Sequence, residues 1–375
     1  IPIPEPQIVP GLEQTIQLVA GEHHFCALDQ LGVMRCWGSN GYGQLGEGST
    51  LASPIPVPAS NLNGVAQVSA GNNFSCAVMN DGSAKCWGYN RNGQLGIGNN
   101  DNQLLPVTLN VPQLQTIRAG NSFACGLDTN GGMHCWGYGN DGTLGQGNRS
   151  TSRTPQAVPG LPVIQDFAVG YRHICASTGS GSLYCWGRNS EGQTAQVRNN
   201  NPRVTVPTQV MISDVASLSL GLRHSCALTI NEGAWCWGYN NAAQLGNNST
   251  ATTHIPVRMS SLYNVSGIYA WKFGLGTSAV IDRQIGCLGF YNWGQGYWGQ
   301  IGDGAFSTRR TPVLADVQGV LGSGVRHVAA NERQICVLGD NGRVACWGDP
   351  SHGRTGHGLV EANHFAASEV VAVSN

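Results

Sequence analysis

Short apolar runs alternate with breaks rich in glycine and asparagine along this chain, and the pattern restarts about every fifty residues. In "FSCAVMNDGSAKCWG", residues 74–88, two segments of alternating apolar character flank a turn of Asn80, Asp81 and Gly82. That arrangement predicts a tight antiparallel hairpin. The frame recurs as "HHFCALDQLGVMRCWG", "FACGLDTNGGMHCWG", "HICASTGSGSLYCWG", "HSCALTINEGAWCWG" and "QICVLGDNGRVACWG", with a degraded copy, "TSAVIDRQIGCLG", before the last. A glycine-punctuated loop such as "NGYGQLGEG" follows each hairpin. A proline-containing stretch such as "SPIPVPASNLNGVAQVSAG" then leads into the next. No segment carries a helical period of useful length.

Aligned on the first cysteine, the units start at Cys26, Cys76, Cys125, Cys175, Cys226 and Cys336, with Ser278 standing in at the sixth position. Seven all-β units of this size cannot each bury a core alone, and packing them side by side in a closed ring removes the exposed sheet edges. The predicted fold is therefore all-β, a seven-bladed β-propeller occupying residues 1–375 as a single domain. Its hairpin cores fall near 21–48, 71–98, 120–147, 170–195, 221–248, 273–304 and 331–358. Residues 5–21 are expected to supply the lead-in strands of the first hairpin, and residues 367–374 to pair with N-terminal sequence and lock the ring.

In a hairpin centred on residue 31, Cys26 and Cys36 lie opposite one another. Facing residues on antiparallel strands are about 4.5–5.5 Å apart at Cα, within reach of a disulfide. The same arithmetic pairs Cys76 with Cys86, Cys125 with Cys135, Cys175 with Cys185, Cys226 with Cys236 and Cys336 with Cys346. The alternative is reduced thiols packed as small apolar side chains. Matched register in blade after blade favours the bonds, and with them an oxidising location: secreted, at a cell surface or periplasmic. Cys287 is expected to be unpaired, buried or bonded to another molecule. Ser278 or Thr277 stands where its partner would be, Leu288 replaces the usual tryptophan, and the following loop is lengthened.

The unit "AGNNFSCAVMNDGSAKCWGYNRNGQLGIG" resembles the repeat of the regulator of chromosome condensation family. Its signature is a Gly-x-x-His-Ser-x-Ala-Leu strand, a Trp-Gly and an Asn-x-x-Gly-Gln-Leu-Gly loop, and the likeness runs over about residues 12–373. The resemblance implies a seven-bladed propeller, here of a secreted, cysteine-rich type. It leaves the activity open, since the family includes a nuclear nucleotide-exchange factor, a plant ultraviolet-B photoreceptor and a secreted inhibitor of β-lactamases.

Charged residues make up 11% of the chain, the net charge is −1, and only Lys85 and Lys272 are lysines. Without a basic run, nucleic acid is not an expected partner. No apolar stretch is long enough for a membrane span. The start at Ile1, in "IPIPEPQIVPG", is read as that of a processed chain. "GYGQLG" and "GQGYWG" satisfy a dinucleotide-binding pattern, but no helix follows them, so no cofactor is expected. His24, His173 and His224 share one repeat position that Phe74 and Phe123 fill elsewhere, which points to structural rings and not metal ligands. Trp37, Trp87, Trp136, Trp186, Trp237 and Trp347 are expected to pack between blades. No nucleophile–base pair or paired acids stand out, and the chain is not read as an enzyme.

The loop before each first cysteine varies most and is expected to ring the axis on one face. Tyr171, Arg172, Leu222, Arg223, Trp271, Lys272, Phe273, Glu332 and Arg333 form the candidate binding face there; Tyr, Trp and Arg dominate protein–protein hot spots. The expected function is non-catalytic recognition or scaffolding of a protein or glycan, within a larger extracellular assembly. The alternatives are a hydrolase inhibitor of the secreted propeller type and an intracellular guanine-nucleotide-exchange-type regulator.

Overall fold

A computed structural model describes residues 3–198, 201–231, 233–259, 265–281, 289–315 and 317–358. The described residues form seven four-stranded antiparallel sheets arranged as the blades of a propeller. In the first blade Thr15–Ala20 is innermost, followed outward by His24–Asp29, Met34–Gly38 and Ser53–Pro58. The next five blades repeat this order from inner strands Val65–Ala70, Leu114–Ala119, Ile164–Val169, Val215–Leu220 and Val265–Ala270.

The seventh blade takes three strands from the end of the chain, Val325–Ala330, Gln334–Gly339 and Val344–Gly348, and its fourth from the beginning, Ile3–Ile8. Gln7 lies opposite Cys346. The expectation that residues 5–21 all serve the first hairpin is thus corrected: the chain turns at Pro10 and Gly11, and only the part after the turn enters the first blade. A three-stranded last blade would leave the outer edge of Val344–Gly348 open, and the N-terminal strand covers it. Residues 367–374 lie outside the described residues.

Second and third strands are largely buried, whereas outer strands alternate half-buried and exposed positions. Each outer strand of the first six blades carries proline: Pro56, Pro106, Pro155, Pro207, Pro256 and Pro312 are examples. Proline offers no N–H to a further strand and so blunts the edge against pairing with another molecule.

The blades are keyed together by tryptophan. The indole N–H of Trp87 donates to the carbonyl of Gln44 at 3.1 Å, one blade back, and Trp136, Trp186, Trp237, Trp293 and Trp347 donate to Gln94, Thr143, Gln193, Gln244 and Gln300. Trp37 closes the circle on Arg354 of the last blade at 2.8 Å. Gly46 is required beneath such a ring, since a Cβ there would stand 2.5 Å from the Trp87 indole nitrogen.

Six cystines form as the spacing predicted, Cys26–Cys36 through Cys336–Cys346, each with Cα atoms 4.1 Å apart and fully buried. The sixth blade departs from the sequence reading. Ser278 faces Asn292 and Thr277 faces Trp293, so Trp293, not Leu288, stands at the tryptophan position. Gly299, Gly302 and Gly304 follow Trp293 at the spacing by which Gly43, Gly46 and Gly48 follow Trp37, so the loop after the hairpin keeps its usual length. The added residues lie in sequence between the paired Ile281 and Gly289. Cys287 is outside the described residues.

Candidate binding face

The loops joining inner to second strands gather around the axis at one face. Backbone bonds link the loops from the first blade through to the sixth: Glu22 N–H to Gly71 O at 3.2 Å, Asn72 N–H to Asn121 O at 3.4 Å, Asn121 N–H to Tyr171 O at 3.0 Å, Tyr171 N–H to Gly221 O at 3.2 Å and Leu222 N–H to Trp271 O at 3.1 Å. Loops fixed in this way present side chains from a rigid rim, as a recognition site needs.

At the centre, Lys272 crosses from the sixth blade to the far side of the ring. Its ammonium donates to the carbonyls of Ala70, at 2.5 Å, and Ala119, at 2.9 Å, which end the inner strands of the second and third blades. Burial, and then the nearby Arg118, push its pKa down to about 7. Phe273 lies 4.9 Å from this ammonium and meets Tyr171 edge-on.

Trp271 is a correction to the candidate face. It is 1% exposed and its indole N–H donates to Ser278 at 2.9 Å. It occupies the position of Gly21, Gly71, Gly120, Gly170 and Gly221, while Gly276 stands where His24, Phe74 or Phe123 stand in other blades. In the first five blades a ring folds over the glycine; here the indole folds the other way, and a Cβ on Gly276 would meet it at 2.3 Å. Phe273, 3% exposed, is likewise walled in, so neither aromatic is available to a partner. Leu222 is half-buried between its neighbours.

Arg172, Arg223 and Arg333 carry the accessible chemistry. The Arg172 guanidinium lies 5.2 Å from the Tyr138 ring and 5.4 Å from Tyr171, and pairs with Asp141 at 3.1 Å. Arg223 lies over Tyr239 at 5.7 Å with Glu191 at 4.0 Å, and Arg333 over Trp298 at 4.6 Å with Asp349 at 3.4 Å and Glu332 at 3.8 Å. Their side chains remain 29%, 44% and 37% exposed. Stacking on an aromatic face fixes the planar group while leaving N–H donors free for a partner.

Several members of this face escape sequence reasoning. Tyr138 and Tyr239 follow directly after Trp-Gly, and Asp141, Glu191 and Trp298 share one position in the glycine loop, two residues before Thr143, Gln193 and Gln300. A column-wise comparison of the repeats contains that signal, but only the folded ring shows that each loop meets an arginine of the next blade. Glu22 is a further member: burial, then Glu332, push its carboxyl up to about 6 against the pull of Arg354. Among the described residues no group of His, Cys, Asp or Glu is placed to hold a metal ion.

The fold and its rim define a cystine-stapled β-propeller built from repeats of about fifty residues. Family models described as "Regulator of chromosome condensation (RCC1) repeat" match residues 36–78, 81–127, 130–177, 180–228 and 232–272, and, in a second version, five segments between 16 and 244. The chain belongs to the RCC1 repeat family, whose propeller serves as a protein-binding scaffold. It is 32% identical over 161 residues to the E3 ubiquitin-protein ligase HERC2 of Homo sapiens, a match covering 42% of this chain and 3% of that protein. The chain therefore spans a small part of that curated relative. Among solved structures it resembles Prp20p from Saccharomyces cerevisiae, with a TM-score of 0.75, 20% identity and coverage of 89% of this chain and 82% of the other. It also resembles the ectodomain of the Arabidopsis thaliana receptor kinase ACR4, with a TM-score of 0.52, 16% identity and coverage of 87% and 90%. Both are likenesses of fold. Among the described residues no helix is long and apolar enough to cross a membrane.

Proposed function

We propose that this propeller is an extracellular recognition module that binds a protein through the rim formed by Arg172, Arg223 and Arg333. The observation that carries the reading is the repeated stacking of a partly exposed guanidinium on a half-buried aromatic ring, in the fourth, fifth and seventh blades around one face. Arginine and aromatics in such a setting are the residue types that supply most binding energy at protein interfaces. The extracellular assignment rests on the six cystines, since bonds of this kind persist in oxidising compartments. The resemblance to a receptor kinase ectodomain agrees with it. Prp20p, described for its binding to Gsp1p and histones, illustrates protein recognition on the same scaffold.

The test compares the wild-type chain with an Arg172→Ala, Arg223→Ala, Arg333→Ala variant, both immobilised and exposed to the extracellular fraction of the source cells. A protein retained by the first and lost by the second supports the reading. Retention of the same proteins by both sinks it, and retention abolished by glycosidase treatment transfers the role to glycan binding. Mass spectrometry of native material, with and without reductant, checks the compartment. Six intramolecular cystines are expected, and free thiols would revive the alternative of an intracellular regulator.

A further inference from the structure

Between the inner strands runs a central channel of about 420 Å³. Its wall first satisfies the inner strands themselves, which present edge N–H and C=O groups to one another without a ladder. Gln17 accepts from Val68 N–H at 2.9 Å, Gln67 from Ile117 N–H at 2.9 Å, Ser69 from Ala119 N–H at 2.9 Å and Ser219 from Ala270 N–H at 2.8 Å. The serine hydroxyls, used there as acceptors, keep their own protons for another acceptor.

The basic groups that remain outnumber the acids. Arg118 enters from the third blade and Lys272 from the mouth, against one lining carboxylate, Asp166. His327 of the seventh blade also lines the wall, but burial, then Arg118, lowers its pKa to about 4 and leaves the ring neutral. Arg118 gives a terminal nitrogen to Asp166 at 3.0 Å, while its Nε is buried without a hydrogen-bond partner. The Lys272 ammonium rests on two neutral carbonyls. An enclosed ammonium is ordinarily met by a carboxylate, because desolvation of the charge is otherwise uncompensated. The lining thus sets a guanidinium and an ammonium against a single carboxylate, with spare hydroxyl donors beside them, and Arg118 and Asp166 keep 40% and 43% of their side-chain surface open.

We propose that the central channel is a binding site for a small oxyanion, held by Arg118 and Lys272 with hydroxyl donors from Ser69 and Ser219. The ligand class is a phosphate-like or carboxylate-bearing small molecule, and the site is separate from the arginine rim.

Calorimetric titration of the full chain at constant ionic strength tests this with inorganic phosphate in one arm, citrate in a second and chloride as control. Saturable binding of one oxyanion per chain is expected, and the responding arm distinguishes phosphate from carboxylate. Removing one charge-assisted donor should weaken it about tenfold or more. That loss is expected in Arg118→Gln and independently in Lys272→Met, whereas Arg91→Gln, at an exposed position outside both the channel and the rim, should bind as the wild type does. Circular dichroism identifies a variant that has failed to fold, in which case the other carries the comparison. No saturable heat with either oxyanion, equal binding of chloride, or equal weakening by Arg91→Gln would each overturn the proposal.

Discussion

The ring at residue 24 and its equivalents shows how a repeat position is chosen by what faces it. His24, His173 and His224 place Nε2 at 2.9, 2.8 and 3.0 Å from the hydroxyls of Ser75, Ser225 and Thr277 in the next blade. Each hydroxyl donates to a carbonyl, of Gln44, Gln193 or Gln244, so its oxygen accepts from the imidazole N–H. Phe74 and Phe123 instead pack with Ala124 and Ile174. Burial, reinforced at His24 by His23 and Lys272 and at His173 by His224, lowers all three histidine pKa values to about 3. A base that protonates more readily unfolded than folded contributes its full stability above about pH 6.5 and loses it as the pH falls toward 3. Each such ring should cost about 2 kcal/mol between pH 6.5 and 5. Guanidinium midpoints are therefore expected to fall over that interval, and more gently when His24→Phe is combined with Ser75→Ala, a pairing that copies Phe74 on Ala124. An equal slope in that double variant would refute the assignment. This pairing of ring and facing residue is present in the sequence, but it becomes visible only when the columns of adjacent repeats are compared.

At the level of the blade, register governs what sequence alone can reveal. The hairpins and cystines were legible because both strands keep a fixed length about a turn of constant size, which places Cys26 on Cys36 and Cys76 on Cys86. The sixth blade was misread because an alignment anchored on cysteine follows Cys287. The fold anchors on the opposition of Thr277 and Trp293. The same blade exchanges its partners, Trp271 over Gly276, for the usual ring over glycine. Trp271→Gly should leave a cavity costing about 3–5 kcal/mol. Adding Gly276→Phe should recover much of that loss, because Ile335 of the seventh blade stands where Ile174 faces Phe123. Thermal melting of the single and double variants measures it, and a double variant less stable than the single one would contradict the exchange. On the face, the arginines were readable from residue type. Their partners Asp141, Glu191 and Trp298 were not, because contact with the following blade depends on curvature, which no single repeat encodes.

Over the whole molecule, the ring is held by a repeated indole–carbonyl contact and closed by one borrowed strand. Ile3–Ile8 lies on Val344–Gly348, Val9 beyond it is buried, and Trp37 bonds to Arg354 across the same junction. Removing residues 1–9 should expose the edge of the last blade, lower the melting temperature by several degrees and bring limited proteolysis to the junction of first and last blades. Unchanged melting and cleavage would show that the tryptophan contact closes the circle unaided. The seven-fold count was legible from the period, and closure by pairing of N- and C-terminal segments from the strand-like sequence at both ends; that the N-terminal partner would be Val344–Gly348 was not, because a strand carries no mark of which distant hairpin it will join. Its placement also orders folding. Ile3–Ile8 can take its seat only when the distant Val344–Gly348 is in place, so this pairing joins the two most widely separated segments of the described ring. Contacts of such sequence separation carry the largest loop-closure cost, which makes sealing the last blade a late step, after the other blades have gained their own local hairpins.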